Sequence, residues 1–186
     1  MRLAPWLAGA ALLAALAGAV LRRAPSAEAG AKLAILEDIL RSRNDNDPRL
    51  DRDFLDLSPE AKGLFREAYL ALPRERRNER GTIVYLLGKN LRTASDWDFF
   101  RAVAAESPCL SLADCSRASA GSGEAGDEVT LAYPSLVALR QAHRAAQEGA
   151  PPSDARGVLE AAKSSRMRAV TRLARGLEPV FGRKSE

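Results

Sequence analysis

Aromatic residues make up only 5% of this 186-residue chain, which holds two cysteines and a single histidine. Each scarcity excludes something. Strands favour aromatic and β-branched side chains, so a chain poor in aromatics and rich in alanine suits close-packed helices instead. A structural zinc site takes about four ligands, largely Cys and His; Cys109, Cys115 and His143 cannot supply them. No glycine-rich phosphate loop, nucleophile elbow or metalloprotease motif occurs. No cofactor is expected, and no catalytic residue is assigned. With no cysteine before Cys109, a lipid anchor on an N-terminal cysteine is excluded.

A strong charge of either sign is also missing. The chain carries 28 basic and 24 acidic residues, and three of those arginines and one glutamate lie in the first 29 positions. The remaining 157 residues therefore hold 25 bases against 23 acids, which gives no reason to expect a nucleic-acid partner. They are enough for one domain with its own core.

What is present begins with an uncharged run of 19 residues, from 3 to 21, between Arg2 and the pair Arg22 and Arg23. At about 1.5 Å of rise per residue it nearly matches a hydrocarbon core of about 30 Å. It also has the parts of a secretory signal peptide: Arg2 as the positive start, an apolar stretch, and small-x-small sites at Ala17-Gly18-Ala19 and Ala27-Glu28-Ala29. Arg22 and Arg23 favour a cytoplasmic flank, but the amino terminus and Arg2 balance them. Signal peptide and membrane anchor both stay open for residues 1–29. Either one points to the cell envelope, with the domain periplasmic or secreted. An even cysteine count in an exported chain suggests that Cys109 and Cys115 form a disulfide that fixes a short loop.

Periodicity divides the rest into helices. Leu33, Leu36 and Leu40, with Ile35 and Ile39, predict a helix over 31–42. Asn44-Asp45-Asn46-Asp47-Pro48 breaks it as an Asx turn. The run 44–51 alternates oxygen ligands as a calcium loop does, but it lacks the glycine and the closing glutamate of an EF-hand. Leu50, Phe54 and Leu57 suggest a short helical stretch. Ser58-Pro59-Glu60 is an N-cap, a first-position proline and an acid at the positive helix end, opening a helix that Pro73 closes. A further helix is predicted over 78–91. Its Gly81 and Gly88, seven apart, would let another helix approach closely. Ser95-Asp96-Trp97-Asp98 reads as a capping box, with Asp98 closing it, for a helix that buries Phe99, Phe100 and Val103. Residues 117–128, rich in Ser, Ala and Gly, read as a flexible linker, and strand-like residues occur only at 128–131. Tyr133-Pro134 starts a helix carrying Leu136, Leu139 and His143 on one face. Pro151-Pro152-Ser153-Asp154 starts one long last helix.

Helices paired through short proline-bearing turns resemble the units of an α-solenoid. Residues 58–106 are similar to HEAT-type repeats: 58–72 as the first helix of a unit, 78–91 as the second, and 95–106 opening the next. Arg80-Gly-Thr-Ile-Val-Tyr-Leu-Leu-Gly88 carries the resemblance, as an arginine before an apolar stretch ending in Leu-Gly. The resemblance implies a binding scaffold rather than chemistry.

The expected fold is all-α: an N-terminal hydrophobic helix, then a HEAT-like helical repeat or irregular bundle of about six to seven helices. The expected divisions are 1–29 for targeting, 30–116 for a helical domain with the cysteine loop, 117–128 for the linker, and 129–186 for a helix pair packing on the same domain. Two surfaces are candidates for contact. The turn Arg74-Glu-Arg-Arg-Asn-Glu-Arg80 offers Arg74, Arg76, Arg77 and Arg80 to a protein partner. From Lys163 to Arg175 the chain has five bases and no acid, so Lys163, Arg166, Arg168, Arg172 and Arg175 are candidates for an anionic membrane surface. No small-molecule substrate is indicated. Binding another protein is the first functional expectation, and peripheral binding of a membrane or cell wall through the basic C-terminal helix is the alternative.

Overall fold

The computed structural model describes residues 24–107, 109–112, 114–116 and 125–182. The hydrophobic run 3–21 and most of the expected linker lie outside the described residues. Among the described residues the chain forms nine helices and no strand, an all-α architecture with more, shorter helices than the sequence suggested. They are α1 Ala27–Ser42, α2 Arg49–Arg52, α3 Pro59–Ala71, α4 Arg77–Gly88, α5 Ala94–Ala104, α6 Ala125–Leu131, α7 Tyr133–Gln147, α8 Pro152–Lys163 and α9 Arg168–Gly182. Among these helices none is long and apolar enough to cross a membrane.

Helix α7 is the centre. It packs on α4, α5, α8 and α9, and it is buried on nearly every side, from Pro134 and Leu136 through Leu139 and Ala142 to Ala145. Its polar residues, Arg140, His143 and Arg144 among them, sit on the side left less covered. Gly81 and Gly88 of α4 face it, as the spacing predicted. A Cβ on Gly81 would collide with the ring of Tyr133, and one on Gly88 would stand 2.6 Å from Cβ of Gln141. The missing side chains are what let α4 lie against α7. Phe54 after α2, Phe65 and Tyr69 of α3 and Phe100 of α5 are fully buried, with Phe54 edge-on to Phe65 at 5.6 Å between centroids.

Several boundaries moved, each for a local reason. Helix α1 starts at Ala27, four residues early, because Ser26 caps it: its Oγ accepts from Ala29 N, while its own N–H donates to Glu60 of α3 at 3.0 Å. The expected division at residue 29 therefore falls inside a helix whose Ala29 is buried. Helix α4 ends at Gly88, since Asn90 leaves the helical path to satisfy neighbouring backbone: Oδ1 accepts from Leu57 N, and Nδ2 donates to the Phe54 and Leu86 carbonyls. The cap of α5 is Thr93 rather than Ser95, and Asp96 rather than Asp98 completes the capping box. Asp98 instead pairs with Arg101. Residues 125–131, partly given to the linker and partly read as strand-like, form α6. The single long last helix is two. Ser164 Oγ bonds the Ala161 carbonyl and Ser165 Oγ accepts from Met167 N, so serine hydroxyls replace the helical pattern where the chain turns. Glu128 of α6 then accepts from Ala169 N in the first turn of α9. The C-terminal part is thus four helices, not a pair, and α7, α8 and α9 share one core with α1 to α5.

Candidate functional site

An open groove of about 1010 Å³ is lined by α7, α9, the start of α2 with the turn before it, and parts of α4 and α6. Two helical stripes make its floor. On α7 the stripe is Tyr133, Leu136, Val137 and Arg140; on α9 it is Ala169, Arg172, Leu173 and Gly176. Both follow the i, i+3, i+4, i+7 spacing of one helix face, and both carry an arginine. Val129 and Tyr133 leave apolar surface open here, at 52% and 39% exposure.

The opposite wall is acidic and comes from residues 45–51. Asx chemistry builds it, as the sequence predicted: Asn46 N–H donates to Asn44 Oδ1, and Arg49 N–H donates to Asp47 Oδ1. Asp47 is then claimed by the Arg49 guanidinium at 2.7 Å, and this hydrogen bond holds its carboxyl down to about 2. Lys89 and Tyr85 hold Asp51, which lowers its pKa as well. Neither carboxyl suits a general acid, which must be protonated near the working pH. Burial, and secondarily the charge of Asp45, push the Tyr133 phenol upward, so Asp45 acts across the groove on the α7 wall. Asp45, Arg140 and Arg172 line the groove, are exposed, and have no ion-pair partner among the described residues. Oε1 of Gln141, another lining residue, is buried and accepts no hydrogen bond.

The arginines of the 74–80 turn have a different setting from the one proposed for them. Arg77 and Arg80 are buried, at 8% and 6% exposure. Nη2 of Arg80 donates to Glu106 at 2.8 Å, and its guanidinium stacks on Tyr69 with 4.1 Å to the ring centroid. Arg77 holds the cysteine loop, donating to the Leu112 carbonyl at 3.0 Å and to Cys109 Sγ at 3.1 Å. Arg74 bonds the Ser107 carbonyl, and Arg76 reaches the Leu40 carbonyl and Glu79. All four brace neighbouring segments, and only Arg74 is exposed. Cys109 and Cys115 form the predicted disulfide, and Cys115 N–H donates to Glu75 Oε1 across to the same turn. The loop shows Leu110 and Leu112 to solvent.

The basic run divides. Lys163 is tied to Glu160 and Glu178, joining α8 to α9. Arg166 lies in the turn, and Arg168, Arg172 and Arg175 form an exposed row on α9, while Met167, Val170 and Ala174 face inward. His143 is half-buried on α7 beyond Leu136 and Leu139, and lines neither this groove nor the small cavity beneath Arg77. Among the described residues no cluster of His, Cys, Asp and Glu could hold a metal ion.

No protein-family model, no curated protein and no solved structure matches this chain.

Sequence reasoning missed the groove residues Asp45, Val129, Arg140 and Gln141. The stripe 133, 136, 137, 140 is visible as periodicity, but it reads as one more core face. Nothing in the sequence tells which face of α7 has no helix over it.

Proposed function

We propose that this chain is a non-enzymatic helical scaffold of the cell envelope that binds another protein. The observation that carries the reading is the groove: an apolar floor left open between α7 and α9, rimmed by Asp45, Arg140 and Arg172, whose charges are not used within the fold. Exposed apolar surface with a polar rim is the usual form of a protein-binding site. The envelope location rests on the uncharged run 3–21, and a Cys109–Cys115 disulfide agrees with an oxidising compartment. The pair α3 and α4, which pack on each other, is the unit we take as HEAT-like.

The test has two parts. Cell fractionation, with mass spectrometry of the mature N-terminus, places the protein and shows whether the leading segment is retained. Chemical crosslinking in intact envelopes reads partners at any surface. A membrane or periplasmic protein with a defined crosslinked partner is the expected result. A cytoplasmic location, or no partner in repeated crosslinking, overturns the reading.

One observation favours a second reading. Arg168, Arg172 and Arg175 lie i, i+4 and i+7 on α9 and face solvent, so the row can meet an anionic membrane surface, each charge adding about 1 kcal/mol near the bilayer. Met167, Val170 and Ala174 of α9 are spent on the core, and the three arginines lie apart from them, so this contact is electrostatic and salt-sensitive. Vesicle binding unchanged when these three arginines and Arg166 are neutralised rejects it.

A further inference from the structure

We propose that the groove between α7 and α9 receives an amphipathic helix of the partner protein, one whose apolar face is flanked by acidic residues toward Arg140 and Arg172 and by a basic residue toward Asp45. The inference rests on the scaffold reading and adds the chemistry of the partner.

Three features select a helix. Among the described residues there is no sheet edge to extend, so strand addition is not available, and a floor made of two helical stripes suits helix-in-groove docking. The groove's volume of about 1010 Å³ lies at the upper end of small-ligand cavities, and its stripes run along two helices rather than closing round a centre. A row of side chains at i, i+3, i+4 and i+7 on the incoming helix matches such a floor.

Charge then fixes the arrangement. Arg140 and Arg172 stand on the α7 and α9 stripes, and Asp45 stands on the turn before α2. The other acids of that wall already have ion-pair partners, Asp47 in Arg49, which it shares with Asp38, and Asp51 in Lys89, so Asp45 is the acid left to a partner. A helix that sets acids against Arg140 and Arg172 and a base against Asp45 satisfies all three at once; a uniformly acidic one meets Asp45 with like charge.

The experiment uses the full chain in phosphatidylcholine nanodiscs and a display library of amphipathic helices. The library varies the apolar face and carries flank charges in either arrangement or none. Enrichment of helices with acid on one flank and base on the other is expected. The R140E/R172E variant, whose replaced residues make no ion pair in the fold, is expected to weaken the selected helices about tenfold or more, and helices with the acids changed to lysine are expected to recover binding. Circular dichroism confirms that the variant is folded. No enrichment, no preference among flank charges, or equal affinity for the variant overturns the proposal. Displacement of the selected helix by phosphatidylglycerol vesicles, with none by phosphatidylcholine vesicles, assigns the groove to lipid headgroups and also overturns it. Envelope crosslinking is independent of the library: a partner crosslinked elsewhere on the protein, with no helix selected here, removes this inference and leaves the scaffold reading standing.

Discussion

Nζ of Lys62 lies 2.7 Å from Oδ2 of Asp96, with the two side chains only 4% and 3% exposed. Lys62 belongs to α3 and Asp96 to the first turn of α5, so one buried ion pair ties two helices separated by all of α4. Around it most polar groups are matched, Arg66 Nε being the exception. Lys62 also donates to the Asn90 carbonyl, Asp96 accepts from the Arg92 and Thr93 amides, and Arg66 bonds its second oxygen. Removing Lys62 leaves the buried carboxylate with Arg66 as its remaining cation and takes away its most buried partner.

Lys62→Met is expected to destabilise the protein by about 1–3 kcal/mol in urea denaturation, less than a wholly unpaired charge would cost, because Arg66 stays on the carboxylate. The double variant K62M/D96N is expected to lose clearly less than the sum of the two singles, because the second change removes the charge that Lys62 matches. Simple additivity would mean that the pair is not coupled.

The same carboxylate sets a pH dependence. Burial opposes ionisation of Asp96, but hydrogen bonds from Lys62 and from the Arg92 and Thr93 amides outweigh it and hold the pKa below the usual range. A carboxyl with a depressed folded pKa stabilises the fold above its unfolded value, near 4, and loses that contribution as pH falls through the folded value. Stability is expected to drop as pH falls below about 4, with a shallower acid slope in Asp96→Asn. Equal slopes for the two proteins would remove Asp96 from the account.

Gly88→Ala places a Cβ 2.6 Å from Cβ of Gln141. Alanine gains about 1 kcal/mol of helix propensity, and overpacking against α7 costs about 1–3 kcal/mol. A net loss of stability is expected. At Gly30, which has nothing within 4 Å of the added Cβ, the same substitution is expected to be neutral or stabilising. Thermal melts of the two variants decide the sign.

The N-terminal boundary gives another prediction. A chain beginning at Gly30 lacks Ser26, the cap of α1, and Ala29, which is fully buried. It is expected to be less stable than one beginning at Ala24 by about 1–2 kcal/mol, the usual worth of a cap. Equal urea midpoints would show that α1 does not need its first turn. Replacing Cys109 and Cys115 by serine is expected to lower stability by about 2 kcal/mol, given the short loop they close.

These cases show where the sequence was readable. Ser58-Pro59 marked α3, and Leu36, Ile39 and Leu40 marked α1, because caps and periodicity are local. The glycine pair of α4 was legible because seven residues make nearly two turns. Thr93 and Ser95 are both good caps two residues apart, so only the fold chooses between them. Lys62 and Asp96 lie 34 residues apart, and no pattern links them. Arg77 and Arg80 look like a solvated corner in sequence; their burial depends on the cysteine loop and Tyr69 folding over them. The groove was hidden because Leu136 and Val137 are apolar at core spacing, and an uncovered face reads like a covered one.

The most direct test of the central claim is site-specific photocrosslinking in intact envelopes. A photoreactive residue at Val129, in the groove, is compared with one at Leu70, 73% exposed on α3 and outside the groove. The account predicts an adduct of defined mass with one protein from position 129, none from position 70, and loss of the adduct in the R140E/R172E background. No adduct at position 129, or one that the charge reversal leaves intact, contradicts it.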